Sequence, residues 1–154
     1  MKTRRKSPAG RHPRQLKLNK AFTPVSVNEN DELFPNGIFE FNVTKMLAFI
    51  EANVDKFPVE TVEVEPLRGY SSETLDEETI RRADVSKPIL LAEISPGRFN
   101  VIDGNHRVER AGRDGQKTIP AHRIGAEQHL AFLTSARAYE AYVGYWNSKL
   151  DKLE

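Results

Sequence analysis

Five consecutive residues, Asp103-Gly104-Asn105-His106-Arg107, are of the types from which an anion site is built. Before them Phe99-Asn100-Val101-Ile102 reads as a short apolar strand. After them Val108 and Ala111 recur at helical spacing, which predicts a helix from about His106 to about Asp114, with Gly115 as its C-terminal residue. Gly104 can take a tight-turn backbone that a residue with a Cβ resists, and Asn105 is a good residue to open a helix. The first amides of such a helix and the positive end of its dipole suit a phosphate. Arg107 adds a planar fork for two phosphate oxygens, and His106 adds a ring donor with pH-dependent charge. This ligand-facing His106 stands against a plainer reading, in which the ring hydrogen-bonds the preceding loop. His122 is a further candidate beside the motif.

The five residues, followed by a helix with Glu109 and Ala111, resemble the Gly-x-His-Arg or Gly-x-x-Arg signature of the ParB/sulfiredoxin superfamily. The resemblance spans roughly Pro24 to Ile124. It implies a small α/β (α+β) domain, a mixed sheet flanked by helices, whose loop and helix start bind nucleotide phosphates. By that resemblance Gly104, Asn105, His106 and Arg107 hold the phosphates of ATP, ADP or CTP, and Asp103 and His106 shape the pocket. In the free-serine-kinase branch an early carboxylate serves as general base, which makes Glu40 the candidate here by position. Sulfiredoxin has a catalytic cysteine where this chain has Asn105, so that activity is excluded.

The chain has no cysteine, which removes disulfides, cysteine-based metal sites and thiol catalysis together. It has no Walker-type loop, no dinucleotide Gly-x-Gly-x-x-Gly and no His-Glu-x-x-His. Asp103, His106 and Glu109 are three residues apart, but such steps diverge around a helix, and Asp103 precedes it; an all-protein metal cage is rejected. Mg²⁺ carried mainly by nucleotide phosphates, with Asp103 or Glu93 assisting through water, fits the carboxylates present.

The 154 residues, 38% hydrophobic and 29% charged, describe a globular chain with a polar surface. No run approaches a membrane span and no apolar segment follows the basic start, so a cytoplasmic location is expected. The net charge of +1 conceals an asymmetry. Residues 1–20 hold eight basic side chains and no acidic one, while the other 15 basic residues face 22 acidic ones, a net of −7. Arg4, Arg5, Lys6, Arg11 and Arg14 therefore read as a nucleic-acid arm that neutralises phosphates, or as a solvated tail, or as one folding back on the acidic body.

The elements that must position the motif follow in order. Residues 1–20 read as a flexible basic tail, 21–125 as the ParB/sulfiredoxin-like domain and 126–154 as a helical extension. Pro24–Val27 alternates like a short strand, and Asn28–Gly37 is turn-rich. From Asn42, a suitable N-cap, Val43, Met46, Leu47, Ile50, Val54 and Phe57 predict an amphipathic helix. Glu60–Glu65 alternates as a strand buried on one side. Thr74–Glu77 resembles a capping box before a short helix that ends on Arg81-Arg82. Pro88–Ile94 is the continuous apolar run of a central strand, joined by a short turn to Phe99–Ile102. Thr118–Ile124 forms another strand, and Pro120 argues for an edge position. Glu127–Leu133 and Ala136–Leu150 read as helices; the stripe Tyr139, Tyr142, Trp146 fits core packing or a dimer face better than base stacking.

Together these readings suggest a nucleotide-binding, DNA-associated ParB-like protein, with nucleotide hydrolase or DNase activity open and a homodimer admissible. No helix-turn-helix follows the domain, which argues against centromere-specific binding. A small-molecule phosphotransferase using Glu40 and a non-catalytic interaction protein are the alternatives.

Overall fold

The computed structural model describes residues 13–37, 39–69 and 74–153. The chain divides into two compact units. The first takes the described residues of Met1–Asn53 with Glu93–Phe99 and Gly125–Glu154; the second is Val54–Ala92 with Asn100–Ile124. Strands and helices are mixed in an α+β fold, as the sequence leads one to expect. Among the described residues no helix is long and apolar enough to cross a membrane.

In the first unit β1 (Leu33–Asn36) pairs antiparallel with β2 (Phe39–Asn42). This corrects the reading of Asn28–Gly37 as loop throughout. A two-stranded ribbon has only edge strands, where Pro35 is tolerated. The strand expected over Pro24–Val27 does not form: Val25 makes a single backbone bond, to the Leu133 carbonyl at 3.2 Å, and no ladder.

Asn42 ends β2 and caps α1 (Val43–Ala52). Its side chain accepts from the Lys45 amide at 3.1 Å and donates to the Asp31 carboxylate at 2.8 Å. Val43, Met46 and Ile50 supply the buried face. The helix stops short of Val54 and Phe57 because Asn53 satisfies its last carbonyls. The Asn53 side chain donates to the Phe49 carbonyl at 2.8 Å and its backbone N–H to that of Ile50 at 3.0 Å.

The expected helix over Glu127–Leu133 is α4 (Ala126–His129) tightening into a 3-10 turn at Leu130–Phe132. Ser135 then caps α5 (Ala136–Asp151), whose Tyr139, Tyr142 and Trp146 are all buried. The aromatic stripe is core. Arg14–Lys20, included in the tail read as flexible, lies instead along α5, where Leu16 is buried and side chains of α5 bond the backbone. Arg4, Arg5, Lys6 and Arg11 lie outside the described residues.

His129 is fully buried in this unit. A carbonyl can only accept, so Nε2 carries the proton and donates to the Glu93 carbonyl at 2.6 Å. Among the described residues Nδ1 is the buried side-chain polar atom left without a partner. Burial pushes the imidazole down to about 4 and moves the Tyr142 phenol upward.

The second unit is built on a sheet in the order β3-β6-β4-β5: β3 (Glu60–Glu63), β6 (Thr118–Ile124), β4 (Ile89–Ser95) and β5 (Arg98–Asp103). The far ends of β4 and β5, Glu93–Ser95 and Arg98–Phe99, fall in the first unit. β6 runs antiparallel to β3 and parallel to β4. Every residue of β4 is buried, as its continuous apolar run requires. β6 is an interior strand, not the edge that Pro120 suggested. Its two ladders are staggered: Pro120 lies opposite Thr61 of β3, and the ladder to β4 begins only at Ala121.

α2 (Glu77–Arg82) is capped by Asp76, not by the Thr74 of the expected box. Asp76 accepts from the Thr79 amide at 2.9 Å and hydroxyl at 2.7 Å. Acids in its first turn and arginines in its last complement the dipole.

A buried imidazole held below its ordinary 6.5 contributes stability fully above that pH and loses it as pH falls toward 4. The loss through His129 should approach about 3 kcal/mol. Urea unfolding of the full chain at about pH 7 and about pH 4.5 measures it, and His129→Gln should flatten the dependence.

Candidate functional site

The motif sits where β5 ends and α3 (Asn105–Arg113) begins. Gly104 adopts φ +106°, a left-handed conformation, and a Cβ there would stand 2.6 Å from Ile89 Cγ2. Both the dihedral and the space require glycine. The helix opens one residue earlier than expected: Gly104 is the cap and Asn105, nearly buried, is the first helical residue. Gly104 has no side chain with which to cap, and the first intrahelical bond is Val108 N–H to the Gly104 carbonyl at 3.0 Å. The amides of His106 and Arg107 precede that bond and are presented along the helix axis.

Arg107 is placed differently from the open fork read in the sequence. One terminal nitrogen donates to the Asp103 carboxylate at 2.9 Å, and the other donates to the carbonyls of Lys87 at 3.3 Å and Pro88 at 2.5 Å. Both side chains of the Arg107–Asp103 pair are less than one-fifth exposed. The guanidinium therefore joins the end of β5 to the approach of β4, and the bond geometry that could grip two phosphate oxygens is largely spent on the protein itself. Asp103 is correspondingly engaged and does not stand as a lone magnesium ligand.

The His106 ring accepts at Nε2 from the Asp76 amide at 3.1 Å. Accepting requires an unprotonated Nε2, so in this arrangement the imidazole is neutral. The motif histidine thus holds the cap residue of α2, whose carboxyl the Thr79 hydroxyl and amide keep below the usual range. His122 donates from Nδ1 to the Phe57 carbonyl at 2.9 Å. Glu40 belongs to the first unit, where its carboxylate accepts from the Thr134 hydroxyl at 2.8 Å. Glu93, also of the first unit, is buried and accepts from the Gly97 amide at 2.9 Å. Arg14 pairs with Glu127 at 3.6 Å. Among the described residues no three histidines, aspartates or glutamates gather as metal ligands.

The sequence reading missed a lattice of ion pairs along α3. Arg68 holds Glu109 with two nitrogens, each at 3.2 Å, and Glu65 with a third contact at 3.0 Å. Arg113 bonds Glu109 at 2.8 Å and reaches Glu77 of α2 at 2.6 and 3.0 Å. These pairings hold Glu109 and Glu77 below the usual carboxylate range and push Arg113 upward. Arg68 lies so close to α3 that a Cβ on Gly112 would come within 2.3 Å of its Cδ. The only local signal for this lattice was the i, i+4 spacing of Glu109 and Arg113. Between α2 and α3 an open groove of about 390 Å³ is lined by Glu77, Glu78, Ile80, Arg81, Arg110, Arg113 and Asp114.

Gly104→Ala should cost about 2 to 4 kcal/mol, combining a left-handed alanine with an overpacked contact on Ile89. Urea unfolding monitored by circular dichroism gives the value, and a loss below about 1 kcal/mol would mean that the turn is not constrained as described.

No curated protein and no solved structure gives a significant match to the chain. The family model of the ParB N-terminal domain matches residues 44–133, well over half of the sequence, and takes in the whole Asp103–Arg107 turn with the helix that follows. The chain therefore belongs to the ParB N-terminal domain family.

Proposed function

We infer that this ParB-like chain binds a nucleotide at the start of α3 and associates with DNA through its basic N-terminal residues. The observation that carries the reading is the left-handed Gly104 junction, which admits no Cβ and opens a nine-residue helix without a side-chain cap. The amides of His106 and Arg107 at the positive end of the dipole are the phosphate donors in this reading. Arg107 contributes mainly by fixing the loop through Asp103 and the carbonyls of Lys87 and Pro88. Its Nε–H and remaining terminal N–H are left for an anion.

Gly104, Asn105, His106 and Arg107 remain the proposed phosphate-binding set, with Asp103 shaping the loop. ATP, ADP and CTP are the proposed ligands, with Mg²⁺ riding on the phosphates rather than on a protein cage. Turnover would need a water or hydroxyl near His106, whose neutral ring can accept a proton once released from Asp76. Hydrolase or nuclease chemistry is thus a second step to be tested after binding. The phosphotransferase alternative gains no support from Glu40, whose carboxylate is already bonded to Thr134.

ATP, ADP or CTP, each with Mg²⁺, should raise the melting temperature of the full chain, since a ligand at a hundred times its Kd adds about 2.7 kcal/mol. Arg107→Ala should weaken that binding by about 1.5 to 3 kcal/mol and also lower the melting temperature, because Asp103 loses its partner. If none of the three nucleotides stabilises the wild-type chain, the nucleotide reading fails.

For DNA, replacing Arg4, Arg5, Lys6, Arg11 and Arg14 by glutamine should weaken duplex binding at all sequences alike. The salt slope should fall by about 4 to 5, close to one unit for each phosphate contact removed. Fluorescence anisotropy over a salt series measures both, and an unchanged slope would remove the arm from the interface.

A further inference from the structure

The stretch Thr74–Asp76, which leads into α2, forms no helix or strand. Among the described residues its hydrogen bond to α3 is the one that the Asp76 amide donates to His106 Nε2, at 3.1 Å. Thr74 and Asp76 are exposed and His106 is partly exposed, so this bond lies within reach of solvent protons. Beyond the stretch, α2 is anchored by other means. Arg113 bonds Glu77 at 2.6 and 3.0 Å, Arg110 donates to the Arg81 carbonyl, and Ile80 is 2% exposed. The approach to α2 is thus tied to α3 by one hydrogen bond, while the helix itself is held by several contacts.

A neutral imidazole has one nitrogen that accepts, whereas an imidazolium has two donors and no acceptor. A proton on Nε2 therefore sets two N–H groups against each other, and the bond is lost. Imidazole is the side chain that changes charge between about pH 5 and 8. The charged groups on the elements around the ring are committed elsewhere. Asp103 at the end of β5 pairs with Arg107, Glu77 with Arg113, and Glu78 with Arg81 and Arg82. On α3 itself Arg110 pairs with Asp114, and Glu109 with Arg68 and Arg113. The Asp76 carboxyl caps α2 by accepting from the Thr79 hydroxyl and amide, bonds that hold it below the usual carboxylate range and keep it ionised while the ring titrates. Among these groups the ring alone changes charge in that interval.

We propose that Thr74–Asp76 is a strap latched to the start of α3 by the neutral His106 ring, and that protonation of the ring releases it. Opening is confined to the strap, because Glu77, Ile80 and Arg81 keep α2 on α3. In the closed state Asp76 occupies one ring nitrogen. In the open state the imidazolium brings two N–H donors and a positive charge to the helix start, beside the amides of His106 and Arg107. The latch does not depend on nucleotide binding, so its failure and that of the α3 site are told apart.

Amide proton–nitrogen NMR spectra of the full chain, recorded without nucleotide from about pH 8 to about pH 5, test the latch. The Asp76 amide proton should move with the same midpoint as the His106 ring protons, and its protection against exchange should fall about tenfold or more across the transition. His106→Gln offers an acceptor that does not titrate and should leave Asp76 protected throughout. His106→Lys, a donor at every pH in this range, should leave it unprotected throughout. An Asp76 amide that ignores the titration of the ring, or one that titrates unchanged in His106→Gln, overturns the proposal. Should the variants lose the wild-type circular dichroism, the wild-type titration decides by itself.

Discussion

Between Asp103 and Asn105 the chain passes through a left-handed residue whose Cβ, had it one, would overlap Ile89, and the placing of α3 against β4 rests on that missing carbon. Glycine makes the turn and also brings the helix close enough to the sheet for Arg107 to reach back to Lys87, Pro88 and Asp103. The contacts to Lys87 and Pro88 span 20 and 19 positions and the contact to Asp103 spans four, so the loop is tied at both ends. Local backbone freedom at one position thus becomes order in three segments, so the start of α3 is organised by the protein's own contacts.

Around that junction the second unit carries a connected set of paired charges. Glu109 stands between Arg68 and Arg113, and Arg113 extends the pairing to Glu77, so that α3, α2 and the turn after β3 share one set of guanidinium–carboxylate contacts. Exposed single pairs contribute little, but the double-nitrogen grip of Arg68 on Glu109 adds geometric specificity, and Gly112 provides the space for it. Such a lattice fixes the direction of α3 more than it adds to stability.

Much of this architecture was legible in the sequence wherever one local force decided the outcome. The Asn42 cap, the buried β4 run and the strand-to-helix break at Gly104 needed only side-chain type and spacing. The misreadings arose where distant residues decide. Arg107 looked like a free phosphate fork because nothing in its neighbourhood announces the carbonyls of Lys87 and Pro88. Pro120 looked like an edge marker because the stagger of two ladders on β6 has no sequence signature. The helix after Asn42 was read too long because Val54 and Phe57 keep the apolar period, while Asn53 ends the helix by bonding its carbonyls. The basic composition of Arg14–Lys20 hid the single leucine that docks it. Arg68 was invisible for the same reason as its partner is distant: the two lie 41 positions apart.

The aromatic content of α5 also divides the molecule optically. The one tryptophan and three of the four tyrosines, Tyr139, Tyr142 and Tyr145, all lie on this helix, and the described residues of the second unit hold neither residue type. Near-ultraviolet absorption and intrinsic emission therefore report on the first unit almost alone, with the indole N–H bonded to the Arg14 carbonyl as their most sensitive point. Events at α3 are nearly silent to those spectroscopies, so a flat emission trace during a titration carries no information about the glycine-opened helix.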